Sequence, residues 1–323
     1  MGRYPLTGES YFCGIHGKIY IPVRPCIPHR HIRRLYTPRR IRSSREEGET
    51  NISLIEFSPG QDYLGEGISR GLARGILVSA DGRNITGEGM GIGTVALKDR
   101  NFSYFSLNCN TVVHAPDLVE KTFSIDSRMI WRRKGSPSVP LTWCMERLND
   151  VYMRSPGLQI LLCPGSHTKR FLGLNPVFEP IPPMAEAHFT YRIARSQIDV
   201  SCTIRSLAGR LPTVFILNEL AADSFTQAFS QGKAMKPPSG WARHEPGSDL
   251  YDPVHRLRFT FSPQSLGKSV PSTVWWGCEH TNNLRWAGYS IEFPECHMGR
   301  VPISYSYAVC LHEEPDAGGN KSV

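Results

Sequence analysis

Apolar and polar side chains alternate along most of the chain. Ile198, Val200, Cys202 and Ile204 are interleaved with Gln197, Asp199, Ser201, Thr203 and Arg205. Phe189, Tyr191 and Ile193 alternate with His188, Thr190 and Arg192. Leu257, Phe259 and Phe261 alternate with Arg256, Arg258 and Thr260. Ile303, Tyr305, Tyr307, Val309 and Leu311 alternate with small or polar residues. A period of two places each set on its own face of a strand, so these segments predict strands with one buried face. The short Ala194-Arg195-Ser196 connection joins the first two in a hairpin. Further strands are expected near 71–79, 85–97, 103–113, 121–132, 158–162, 212–217, 271–280 and 285–293, with Asp81-Gly82 as a turn between the first two of these.

Helical spacing is rare. Leu141, Met145, Leu148 and Tyr152 recur at helical intervals before Pro156. Asn218 to Gly232 predicts a second helix, with Leu220, Ala221, Phe225, Ala228 and Phe229 on one stripe and Gly232 as its stop. Proline-rich joints are expected at 176–183 and 236–240, and the first would divide two β units, 51–175 and 184–312. One continuous sheet fits the pattern equally. With 29 Gly and 25 Pro punctuating many short strands, the expected fold class is all-β with one or two short helices, an antiparallel β-sandwich or lipocalin-like barrel.

Composition adds a globular character, with 40 % hydrophobic and 20 % charged residues among 323. The net charge of +8 is uneven. Residues 1–50 hold ten Lys/Arg against four Asp/Glu, clustered at His29-Arg30-His31-Ile32-Arg33-Arg34 and Pro38-Arg39-Arg40-Ile41-Arg42. With Pro5, Pro22, Pro25, Pro28 and Pro38 interspersed, this reads as a disordered basic arm, and 313–323 as a disordered tail. Such an arm usually serves solubility, and its alternative role is contact with nucleic acid or an anionic surface. The near-neutral remainder argues against a nucleic-acid-binding core.

The start, Met1 to Gly17, lacks the apolar core of a secretory signal, and no apolar run approaches the roughly 20 residues that span a bilayer. Nine cysteines without a C-x-x-C or regular spacing suit reduced thiols. The expectation is therefore a cytoplasmic protein with no transmembrane segment. Oligomeric state is not encoded in any of these signals.

Two stretches carry candidate chemistry. Gly87-Glu88-Gly89-Met90-Gly91-Ile92-Gly93 has glycine at every other position. As a strand it would bare one face and set Glu88, Met90, Ile92 and Thr94 on the other, so Gly89 and Gly91 would form a floor for a ligand or a seat for another element. The second stretch runs from Trp275 to Ser290. A turn at Asn282-Asn283 sets His280 opposite Arg285, Glu279 opposite Trp286, Gly277 opposite Gly288 and Trp275 opposite Ser290. One face would carry Trp275, Glu279 and Trp286 around the bare pair Gly277/Gly288. The other would carry Trp276, Cys278, His280, Arg285 and Tyr289.

Aromatic faces with a few placed carboxyls suit a sugar ring, or an apolar isoprenoid or lipid. The first expectation is accordingly a small-molecule-binding protein that prefers carbohydrate, with ligand contacts from Trp275, Trp286, Gly277, Gly288, Arg285, Gly89 and Gly91. The alternative is an acid–base enzyme, a lyase, hydratase or glycoside-processing activity, drawing on Glu279, His280, Glu219 and Glu88. A third is an interaction protein using the arm. Cys278, His280, Cys296 and His297 match no ordinary zinc spacing, and no H-E-x-x-H, G-x-S-x-G or Walker pattern occurs. Neither a metal nor a cofactor is expected.

Overall fold

In a computed structural model, residues 52–54, 71–80, 82–133, 136–154, 173–265, 272–280, 285–295 and 302–313 are described. The arm, the tail after Glu313, the strand expected at 158–162, the Asn282-Asn283 turn and the pair Cys296-His297 lie outside them. In chain order the elements open with β1 (Ile52–Leu54), β2 (Val78–Ala80), β3 (Arg83–Asn84), β4 (Gly91–Lys98), β5 (Ser103–Phe105), β6 (Cys109–Ala115), β7 (Leu118–Arg133) and β8 (Ser136–Pro137). The helix α1 (Val139–Arg154) follows, then β9 (Leu174–Ala194), β10 (Gln197–Ser206), β11 (Thr213–Leu220), β12 (Gln227–Ser230) and β13 (Lys233–Met235). The remainder is β14 (Gly240–Arg243), β15 (Ser248–Asp252), β16 (Leu257–Ser265), β17 (Thr273–His280), β18 (Arg285–Phe293) and β19 (Ile303–Glu313).

The fold is all-β and its strand pairing is antiparallel. β1, β2 and β3 form a small sheet, and the other sixteen strands form one large sheet. Its path runs β13-β12-β15-β16-β19-β10-β9-β7-β5-β4-β11-β18-β17-β14, with β6 and β8 also on β7. The two halves of that path face each other as a sandwich. Tyr191 of β9 reaches Gly93 of β4, Tyr307 of β19 reaches Asn218 of β11, and Tyr289 of β18 reaches Phe259 of β16. Phe293 of β18 meets Tyr305 of β19 edge to face. Between the halves lies the hydrophobic core, in which Phe123, Phe189, Val200, Ile216, Phe259 and Ile291 are fully buried.

The alternating strands form as their patterns predict, and β10 buries Ile198, Val200, Cys202 and Ile204 while its other face is wetter. β9 and β10 close through Arg195-Ser196, Arg195 taking the positive φ of 51° that a tight hairpin needs. The proline-rich segment 176–183 is part of β9. Pro176 and Pro180 pair with β7, and residues 181–184, including Pro182 and Pro183, stand opposite Asp126 alone as a wide bulge. Within β9, only 185–194 pairs with β10, so the prolines occupy the stretch where β9 has one neighbour and needs fewer donors.

Three expectations are corrected. Asn218–Gly232 is not a helix: β11 ends at Leu220, a turn returns Phe225 N–H to the Ala221 carbonyl, and β12 follows. The Gly232 stop signal is a hairpin turn, in which Gln231 and Gly232 both hold positive φ. The helix expected before Pro156 does form, capped by Ser138 Oγ accepting from Leu141 N–H. Its inward side chains, however, are Thr142, Met145 and Glu146, while Leu148 is 53 % exposed.

The third correction concerns the glycine stretch. Gly87 to Gly89 form a turn, and only Gly91 onward is strand. Leu217 pairs with Thr94 but Asn218 pairs with Ile92, so Gly93 is an extra residue in β4, a β-bulge at φ 74°. Ile92 and Thr94 therefore lie on opposite faces, not on one. Both backbone groups of Gly93 are satisfied by side chains: its N–H donates to Asn218 Oδ1 at 3.1 Å and its carbonyl accepts Tyr191 Oη–H at 2.7 Å. Tyr307 Oη–H also donates to Asn218 Oδ1, at 2.8 Å.

A Cβ on Gly93 would lie 2.7 Å from the Tyr191 ring and would strain a positive φ, so Gly93→Ala is expected to cost about 3 kcal/mol. Tyr307→Phe removes one buried donor and is expected to cost about 1–2 kcal/mol. Urea unfolding checks both, as a lowered midpoint at unchanged slope.

Candidate functional site

β4, β11, β18, β17 and β14 lie side by side, and their outer face, turned away from the core, carries the candidate site. Cross-strand pairing orders it in rows. Thr94, Leu217, Ser290, Trp275 and Arg243 form one row; Gly91, Glu219, Gly288, Gly277 and Trp241 form the next. The pair Trp286/Glu279 lies beyond the second row. The hairpin register expected from sequence is the one observed at all four pairs: His280/Arg285, Glu279/Trp286, Gly277/Gly288 and Trp275/Ser290. Trp276 and Tyr289 face the core and pack around His244.

The gap left by Gly277 and Gly288 is not bare. Trp241, paired with Gly277, lays its indole on Trp286 with centroids 4.0 Å apart and planes 19° from parallel. Trp286 is thereby buried. The glycines themselves are required by backbone: a Cβ on Gly277 would meet the Gly240 carbonyl at 1.8 Å, and one on Gly288 would meet that of Asn218 at 2.0 Å. Trp275 is half-buried and donates its indole N–H to Glu292 Oε2 at 2.6 Å. Trp241 was missed by sequence reasoning because it follows the 236–240 joint, far along the chain from the hairpin it completes.

Polar groups are buried on this face: Thr94 at 1 % exposure, Ser290 at 2 %, Glu219 and Glu279 each at 6 %. Ser290 Oγ has no hydrogen-bond partner among the described residues. Glu219 Oε2 accepts the Met90 N–H at 3.1 Å, and the Arg74 guanidinium lies close enough to favour its charge. Burial outweighs both and pushes the Glu219 carboxyl up to about 7.

Arg74 is placed by an irregular segment threaded beside β4. Gly75 N–H donates to the Met90 carbonyl, and Ile76 exchanges both backbone bonds with Ile92. Gly75 permits this approach, since a Cβ there would lie 2.1 Å from the Ile92 carbonyl. From the core side, Lys121 Nζ donates to the carbonyls of Arg74 and Gly75 at 2.7 and 3.0 Å. Burial lowers the pKa of that lysine. Arg74 Nη2 in turn donates to the Gly87 carbonyl at 2.8 Å and to that of Gly89, fastening the glycine turn.

The structure thus brings Glu219, Gly91, Gly288 and Gly277 into one row and sets Glu279, Trp286 and Trp275 around it. Gly89 and Gly91 are not an open floor, because added Cβ atoms would meet the backbone of Glu219 and of Ile76 at 2.7 and 2.6 Å. Glu88 sits half-buried in the adjoining turn. His280, exposed, and Arg285, half-buried, stand apart at the hairpin end, where both approach Asp223, at 3.4 and 3.6 Å.

No family model matches the chain, and no curated protein does. Among solved structures it is similar to the Slr1438 protein of Synechocystis sp. PCC 6803, with a TM-score of 0.36 and 9 % identity over 80 % of this chain and 99 % of the other. It is also similar to a galactose mutarotase-like protein of Lactobacillus casei ATCC 334, with a TM-score of 0.29 and 9 % identity over 81 % and 100 %. At these scores neither likeness bears on the function of this chain.

The raised carboxyl predicts a pH signature. Glu219 binds its proton more tightly folded than unfolded, so its contribution is favourable below the ordinary value of 4.5 and is lost as pH rises to about 7. The expected loss is on the order of 3 kcal/mol. Glu219→Gln should flatten that part of the stability profile, measured by urea unfolding across pH 4 to 8; an unchanged slope in the variant would refute the assignment.

Proposed function

We propose that this chain binds a small molecule on the outer face of β11, β18, β17 and β14, and that carbohydrate is the preferred ligand class. The observation that supports this is the pairing of a stacked indole pair, Trp241/Trp286, with two buried carboxyls, Glu219 and Glu279, on the face of the sheet opposite the one that packs into the sandwich core. Burying carboxyls is costly, and a face used only for packing has no need of them. A sugar offers what this set recognises: hydroxyls that donate to carboxylates, and C–H faces that lie on indoles. Trp275 and Ser290 extend the same surface. An isoprenoid or lipid is the second ligand class, for which the indoles suffice and the carboxyls are idle.

A catalytic reading rests on Glu219. A carboxyl near 7 exchanges protons at neutral pH, as a general acid or base requires, and Arg74 would steady the ionised form. A lyase, hydratase or glycoside-processing reaction would use it so.

Intrinsic tryptophan fluorescence of the full chain, titrated with a panel of mono- and disaccharides and then with isoprenoid alcohols, separates these readings. A saturable change with sugars is expected, weakened at least about tenfold in Trp241→Ala. Saturation only with isoprenoids would replace the ligand class, and no response from folded protein would overturn the site. If the site is catalytic, Glu219→Gln should abolish turnover of the bound compound and leave its affinity within a few fold.

A further inference from the structure

Lys121 and Cys109 face the core from neighbouring positions where β6 pairs with β7. Thr111 stands opposite Lys121, and Cys109 stands opposite Phe123, one step along the same face. Cys109 Sγ lies 3.9 Å from Thr111 Oγ1. The lysine stem leans the same way, for its Nζ is 5.9 Å from the centre of the Phe123 ring. Lys121 and Thr111 are buried, and Cys109 is half-buried with a free thiol. The amine therefore has three polar neighbours: the carbonyls of Arg74 and Gly75, at 2.7 and 3.0 Å, and the Cys109 sulfur, within hydrogen-bonding reach.

This arrangement suits a neutral amine, which has two hydrogens and a lone pair, better than an ammonium with three hydrogens. The two carbonyls take the hydrogens, and the lone pair is left for the side where the sulfur lies. Burial and the nearby Arg74 guanidinium move Lys121 toward that state, against the pull of Cys109. A desolvated lysine beside a second cation is a nucleophile. The other described thiols have different surroundings: Cys202 is buried, Cys278 lies beside Glu279, and Cys310 donates to Gln197 Oε1 at 3.6 Å. We propose that Cys109 and Lys121 form a covalent modification site, at which a hydroperoxide oxidises the thiol and the amine captures the product as a sulfenamide. In the first step sulfur gives two electrons to the peroxide O–O bond, which breaks, leaving a sulfenic acid and one water when the oxidant is hydrogen peroxide. In the second the Lys121 lone pair attacks that sulfur. The S–N bond forms, the S–O bond breaks, and the hydroxyl leaves with a proton from nitrogen as a second water. The linked nitrogen keeps one hydrogen, so one of the two carbonyls loses its donor, while the sulfur is shielded from further oxidation.

Mass spectrometry of tryptic peptides tests this, on the full chain treated with hydrogen peroxide while folded. Trypsin cuts the unmodified chain after Arg100, Lys121 and Arg128. The link blocks the cut at Lys121, so a peptide spanning 101–128 is expected, lighter by two hydrogen atoms than its sequence requires. A dithiol should restore both the mass and the cut. That span holds one cysteine and neither methionine nor tryptophan, so an added oxygen marks Cys109. Unfolding in urea before the peroxide separates the pair, and the yield of the lighter peptide is expected to fall at least about tenfold. Lys121→Arg should give no lighter peptide and let Cys109 proceed to sulfinic and sulfonic acid. Cys109 carrying added oxygen in the folded wild type while trypsin still cuts at Lys121 overturns the inference. So does a lighter peptide formed equally well in the unfolded chain, or a Cys109 left unoxidised when the exposed Cys144 is oxidised.

Discussion

One extra residue in β4 decides how this sandwich is assembled. Without the bulge at Gly93, Glu219 would pair with Ile92, and an isoleucine would sit on the outer face beside a carboxyl. With it, Ile92 turns into the core and Gly91 takes the place beside Glu219. The bulge leaves a backbone N–H and a carbonyl without ladder partners in an apolar interior, a debt that must be met by side chains. Asn218 and Tyr191 meet it, and Tyr307 adds a second donor to the same Asn218 oxygen. Since Tyr191 and Tyr307 belong to the opposite layer, satisfying the bulge also clamps the layers together. Tyr289 repeats the device, donating across the core to the Phe259 carbonyl at 2.7 Å.

The outer face inherits its geometry from that register. Once Glu219 pairs with Gly91 and Gly288, the second row runs from a carboxyl across two glycines to an indole. The glycines are dictated by the backbone contacts of neighbouring strands, and the space they leave above the sheet lets Trp241 lie flat on Trp286. The aromatic pair is thus a consequence of close strand approach as much as of aromatic attraction.

Much of this was legible in the sequence and some was not. The hairpin of β17 and β18 could be read pair by pair, because a period of two and a short asparagine turn leave one register that separates Trp275 from Trp276. The strands from 188 to 205 were equally plain. The bulge at Gly93 was hidden because alternating glycines imitate an uninterrupted strand, and only Asn218, contributed from more than a hundred residues away, reveals the slip. Ala221 and Phe225 imitated a helical stripe across a turn, since a tight turn and a helix both bring residues three or four apart together. In α1 the helix was readable but its buried face was not: Thr142 and Glu146 face inward because Trp131 and Lys98 provide partners that the local sequence does not show.

Polar side chains on the two faces of the same sheet are treated differently. On the core side, Tyr191, Tyr289 and Lys121 spend their donors on main-chain carbonyls, and burial holds each tyrosine far from ionisation. The two tyrosines stay protonated, and all three side chains serve as struts. On the outer side Glu219 receives one backbone N–H and the field of Arg74, which together fall short of what desolvation costs its charge. Its two protonation states are therefore close in free energy near neutrality. A strut has no use for that balance, whereas a group that must accept or donate a hydrogen bond to an arriving hydroxyl, or carry its proton, depends on it.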